Sequence, residues 1–109
     1  MNQSFFRTLV AGVGLSLLVP AYAASNFAVG QAKKAFTIPV VKAKVGDTIT
    51  FKNDDEFAHN VFSLSDVQSF DLGSYKKGET RTLTLNAAGT IEVECAIHPE
   101  MKMKIEVTK

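Results

Sequence analysis

Between residues 27 and 108, apolar side chains recur at alternate positions in short runs. Each run ends in a cluster of turn-forming residues, and no stretch of useful length holds a helical spacing. A period of two sends successive side chains to opposite faces of a strand, so one face of each run must be covered by another layer. The chain is thereby expected to form an all-β fold, a β-sandwich. Strands are expected at 27–31, 36–44 (with Pro39 marking an edge or bend), 48–53, 60–64, 80–85, 90–95 and 101–108. Turns are expected at Val45-Gly46-Asp47, Lys77-Gly78-Glu79 and Ala88-Gly89.

Phase within the last two strands carries further information. Ile91, Val93 and Cys95 alternate with Thr90, Glu92 and Glu94, which puts the cysteine on the inward face. Met101, Met103, Ile105 and Val107 alternate in the same way with Lys102, Lys104 and Glu106. The two strands are expected to run antiparallel, joined by a loop at 96–100.

The N-terminus reads as a secretory leader. Arg7 gives it a positive start, residues 9–19 are apolar apart from Gly and Ser, and Ala21-Tyr22-Ala23 offers small residues for cleavage. The run is well short of the ~20 residues a spanning helix needs, so no membrane span is expected in the mature chain. The expected organisation is a signal peptide at 1–23 and one domain at 24–109, located in the periplasm. Losing Arg7 and no acidic residue turns 12 basic against 11 acidic residues into an even balance, which argues against nucleic acid as a partner. Taking 23 residues from 109 leaves 86, enough for one domain with a modest core.

Exported chains meet an oxidising compartment, where cysteines are usually paired; Cys95 is alone. A leftover cysteine points to an intermolecular bridge, a reactive thiol or a metal ligand. Free cysteine is also often buried and inert, but here the neighbours weigh for a ligand. The soft and imidazole donors of the mature chain fall in two places: His59, and the run Cys95-Ala96-Ile97-His98-Pro99-Glu100-Met101-Lys102-Met103. Two His and one Cys with a weak axial thioether form the ligand set of type 1 copper. Structural zinc sites favour four strong ligands, usually with cysteine pairs, and these are not available. Pro99 fixes its own φ and restricts His98, helping to hold a tight loop. His59, at the start of an expected strand, is placed to reach the same end of the sandwich. Strand phase does not separate Met101 from Met103 as the axial donor.

Over residues 32–107 the chain resembles the cupredoxins, the blue-copper family that includes amicyanins, plastocyanins and pseudoazurins. The resemblance rests on Val45-Gly46-Asp47-Thr48-Ile49-Thr50-Phe51-Lys52-Asn53, His59-Asn60-Val61-Phe62, Phe70-Asp71-Leu72-Gly73 and Cys95-Ala96-Ile97-His98-Pro99-Glu100-Met101. It implies a two-sheet antiparallel or mixed Greek-key β-sandwich and one copper held by His59, Cys95 and His98, with a methionine as the long axial ligand. The proline directly after His98 resembles the short amicyanin loop and favours Met101; Met103 would then be a core residue. The resemblance also gives Asn60 a role in tying the two ligand loops together, through its backbone N–H to the cysteine sulfur and through its side chain. Ala96 stands where Ser or Thr often follows the cysteine, removing a hydroxyl partner for Asn60.

The expected function is one-electron transfer between redox proteins, such as a periplasmic dehydrogenase and a c-type cytochrome, by a monomer cycling Cu(I) and Cu(II). The alternative is a periplasmic copper chaperone or resistance protein, which would favour open sites rich in Met or His. An enzyme is not expected, because both histidines are committed to metal and leave no general base beside a nucleophile. Ile97 and Pro99, flanking His98, are the candidate docking surface. Asp54-Asp55-Glu56, Lys33-Lys34 and Lys76-Lys77 read as solvated turn charges, and Phe51, Phe62 and Phe70 as core.

Overall fold

The computed structural model describes residues 22–109. The expected leader lies outside the described residues except for Tyr22 and Ala23. Nine strands occur among the described residues: β1 (Asn26–Ala32), β2 (Ala35–Phe36), β3 (Val40–Lys44), β4 (Thr48–Asn53), β5 (His59–Ser63), β6 (Phe70–Tyr75), β7 (Thr80–Thr84), β8 (Gly89–Glu94) and β9 (Lys102–Thr108). They form two sheets, β2-β1-β4-β7 and β3-β9-β8-β5-β6. Both are mixed, since β1 pairs with β4 and β3 with β9 in parallel while the other ladders are antiparallel.

Alternation decides what fills the space between the sheets. In β8 and β9 the residues Ile91, Val93, Met103, Ile105 and Val107 are buried while Lys102, Lys104 and Glu92 face water. Ile49 and Phe51 enter the core from β4 in the opposite sheet. Phe51 meets Phe36 edge-on at 6.2 Å between ring centres, a favoured aromatic arrangement. Each such side chain removed from water contributes about 1.5–3 kcal/mol.

Three expectations are corrected. The single strand at 36–44 is two strands in different sheets: Pro39 has no N–H to give, and its carbonyl instead accepts from Lys104 N–H at 3.0 Å as the chain crosses over. The segment Phe70–Tyr75, not expected as a strand, forms the edge strand β6. Phe62 is only partly buried and stands outside the core, whereas Phe70, also partly buried, packs against it.

Topology also gathers one end of the sandwich. Because β1 and β4 are parallel, the turn after β1 and the loop at 54–58 emerge side by side. β5 begins at that end, and β8, antiparallel to β5, finishes there. Cys95 follows β8, so the 96–100 loop closes over the same place.

Candidate metal centre

His59, the first residue of β5, is fully buried. Cys95 is buried at the end of β8, and His98 is half-buried in the following loop. One donor atom from each of the three lies within 4.8 Å of the others. The Cys95 sulfur is 3.9 Å from His59 Nδ1 and 3.9 Å from His98 Nδ1. Metal bonds of about 2.0–2.3 Å from nitrogen and sulfur bridge such gaps when they meet at a wide angle. The donor set therefore fits one soft or borderline ion.

The loop carrying His98 is closed by two backbone bonds, Met101 N–H to His98 O at 2.9 Å and Cys95 N–H to Met101 O at 3.3 Å. Met101 is buried and continues the β8–β9 register, in which Glu94 faces Lys102, so it stands opposite Cys95. Residues opposed in an antiparallel ladder send their side chains to the same face. Met103 stands one inward step deeper, opposite Val93.

Asn60 joins the two ligand segments. Its backbone N–H points to the Cys95 sulfur at 3.4 Å, and its side-chain oxygen accepts from Ala96 N–H at 2.9 Å. The missing hydroxyl at position 96 thus costs no tether, because the backbone amide of Ala96 serves as the donor. The Asn60 amide nitrogen donates to Asp71 Oδ1 at 2.9 Å. A bulge in the β5–β6 ladder, with Gly73 at φ 79°, re-aims β6 beneath it.

Several residues without a signal of their own in the sequence surround the three donors. Asn53, fully buried, donates to Phe57 O at 2.8 Å and accepts from Asp55 N–H at 2.8 Å, fixing the 54–58 loop. Gln31 donates to Asn60 O at 3.2 Å and accepts from the Tyr75 hydroxyl. Burial holds that phenol well above its usual range, so it remains a donor.

Phe57, 41% exposed, lies 5.3 Å from the His59 ring and 5.2 Å from the His98 ring, while the Lys34 ammonium sits 5.5 Å from its centre. Asp55 is not the solvated charge its acidic run suggests. Its carboxylate lies 2.7 Å from His59 Nε2 and accepts from Lys33 N–H at 2.7 Å and from Lys34 N–H at 3.1 Å. Burial pushes the Asp55 carboxyl upward, but these donors outweigh it and hold the group below the usual carboxylate range. A lone aromatic in a polar stretch and one carboxylate among three leave no periodic signal, so only a fold could find them.

Outside the core, Ile97 is 47% exposed, and Ala96, Pro99 and Glu100 are exposed with it around His98. Among the described residues no helix is long and apolar enough to cross a membrane.

Residues 23–108 match the copper-binding proteins of the plastocyanin/azurin family. The chain is 33% identical over 109 residues to the methylamine utilization protein MauL of Methylorubrum extorquens, covering 96% of this chain and 95% of that protein. It is 34% identical over 79 residues to amicyanin of Paracoccus denitrificans, covering 70% of this chain and 60% of the relative. Among solved structures, the Cu(I) form of an amicyanin variant is similar at a TM-score of 0.71 and 32% identity, over 79% of this chain and 85% of the other.

Proposed function

The chain belongs to the plastocyanin/azurin family of copper-binding proteins, and we propose that His59, Cys95, His98 and Met101 hold its copper. The observation that carries this reading is the convergence of two imidazole nitrogens on one buried thiol, each at 3.9 Å. Bound there, copper supplies the Cu(I)/Cu(II) couple, so the protein is a one-electron carrier.

The chain's own residues prepare that role. Cys95 provides the thiolate, and Asn60 N–H, aimed at its sulfur, tempers the negative charge in a buried setting. Met101 supplies a weak thioether from the position opposite Cys95. His59, behind Phe57 and fully buried, keeps one side dry, while His98 reaches the surface within an apolar rim of Ile97 and Pro99. Electrons enter and leave through His98, where a partner docking on that rim excludes water.

No enzymatic step is assigned to these residues. The enclosed thiol and His59 favour a carrier over a copper chaperone, whose cargo must exchange. The leader-like segment supports export to the periplasm, where a dehydrogenase or a c-type cytochrome would be the redox partner, and similarity to the methylamine utilization protein MauL fits such a role.

Adding Cu(II) to the purified protein is expected to give one copper per chain and an intense visible thiolate-to-copper band that bleaches reversibly on reduction. The same band at full strength in Cys95→Ser would refute the assignment.

A further inference from the structure

The turn joining β1 to β2 consists of Lys33 and Lys34, both in the left-handed region at φ 56° and 58°. Two-residue hairpins of this kind favour Asn-Gly, because side chains with a Cβ resist positive φ. A lysine pair here is locally unfavourable and persists only if its surroundings over-determine it. The surroundings are the Asp55 carboxylate, which takes both lysine amides. Its third hydrogen-bond partner is the buried His59 ring.

Both Asp55 oxygens accept from backbone amides, and the one facing the ring is an acceptor that pairs with a protonated ring nitrogen. His59 Nε2 must therefore carry the ring proton, and in the neutral ring the Nδ1 lone pair is left facing the Cys95 sulfur. Asp55 itself has little freedom: its side chain is 12% exposed, its N–H is tied to Asn53, and its oxygens are met by two amides of a separate hairpin.

We propose that Asp55, braced by the Lys33–Lys34 turn, is a positioning residue that fixes the tautomer and orientation of His59 and makes its Nδ1 a stronger donor toward the higher oxidation state of the metal. Carboxylate partners of this kind orient ligand imidazoles and raise their basicity. A negative charge close to the site also favours Cu(II) over Cu(I). The inference rests on the copper-binding reading of His59, but its first test does not need copper.

In the metal-free protein, ring nitrogen chemical shifts of His59 are expected to report the Nε2–H tautomer in the wild type, its retention in Asp55→Asn, and a mixture of tautomers in Asp55→Ala. In the copper-loaded protein, Asp55→Asn keeps an acceptor but loses the charge. Its affinity for Cu(II) is expected to fall roughly 10–100-fold, with a smaller loss for Cu(I). The potential then rises by about 59 mV for each tenfold difference between the two losses.

An Nδ1–H tautomer in the wild type would overturn the proposal without any variant having to fold. So would unchanged affinities and potential in a folded Asp55→Asn protein. A wild type that binds no copper but shows the Nε2–H tautomer, lost in Asp55→Ala, would defeat the copper reading and leave the positioning role standing.

Discussion

Replacing Asn60 by Ala tests whether the two ligand segments are fastened to each other by a side chain. The substitution removes two good hydrogen bonds, from Ala96 N–H and to Asp71 Oδ1, both at 2.9 Å. A third contact, to Gly73 O at 3.5 Å, is too long to count for much. Each good bond contributes about 0.5–1.5 kcal/mol net, so the loss lies at about 1–3 kcal/mol. Ala96 and Asp71 are exposed, and water can replace what they lose, which places the expected value in the lower half of that range. For a domain of this size it corresponds to a fall of roughly 5–15 °C in the unfolding midpoint of the metal-free protein. The backbone N–H of residue 60 still faces the thiol, so the visible band should survive with a shifted potential. Asn60→Asp separates the two bonds, since it keeps an acceptor for Ala96 but sets a second carboxylate against Asp71. Calorimetry and voltammetry on both variants provide the check. A loss under about 0.5 kcal/mol in Asn60→Ala, with the potential unmoved, would show that the loops are held by their backbones alone.

Met101→Gln is expected to shift the potential, because the axial donor tunes such sites, whereas Met103→Leu should cost less than about 1.5 kcal/mol and leave the potential alone; voltammetry giving the opposite pattern would transfer the role to Met103. A charge in the apolar rim, as in Ile97→Glu or Pro99→Glu, should slow stopped-flow transfer to the native partner while leaving the copper spectrum nearly intact. Unchanged rates in both would mean that electrons take another route. Asp47 is held below the usual carboxylate range by the amides of Ser25 and Lys44. The stabilisation from its depressed folded value is present above the ordinary value of 3.8 and lost as pH falls through the folded one. The stability advantage of the wild type over Asp47→Asn should therefore shrink in acid denaturation below that pH, and a constant difference would refute it.

Sequence and structure agree most closely where one physical signal acts alone. The strand 48–53 is found with both ends in place, because a Gly-Asp turn opens it and alternation persists to Asn53. The inward phase of Cys95 and the loop carrying His98 follow from the same period of two. Agreement fails where a tertiary partner overrides the local pattern. β6 was missed because Gly73 and the bulge beside it interrupt alternation along an edge. Pro39 marks an edge or a bend in the sequence, and β3 after it is indeed an edge strand, but no local feature says that the chain changes sheets there. Asp55 looked like its neighbours Asp54 and Glu56, and only the parallel pairing of β1 with β4 brings the lysine amides and the His59 ring to it.

Sheet order carries a kinetic consequence. β9 lies between β3 and β8, so an early strand keeps an open edge until a segment some sixty residues later is inserted beside it in parallel. Pairings of such long sequence separation are slow to nucleate, because loop closure must precede any reward from contact. Cys95, His98 and Met101 sit immediately before β9, and their loop is drawn tight by bonds local to the β8–β9 hairpin. His98 thus meets the thiol locally, whereas His59 lies far off in sequence and reaches it only through the pairing of β5 with β8. Until that pairing forms, the three donors are not gathered in one place.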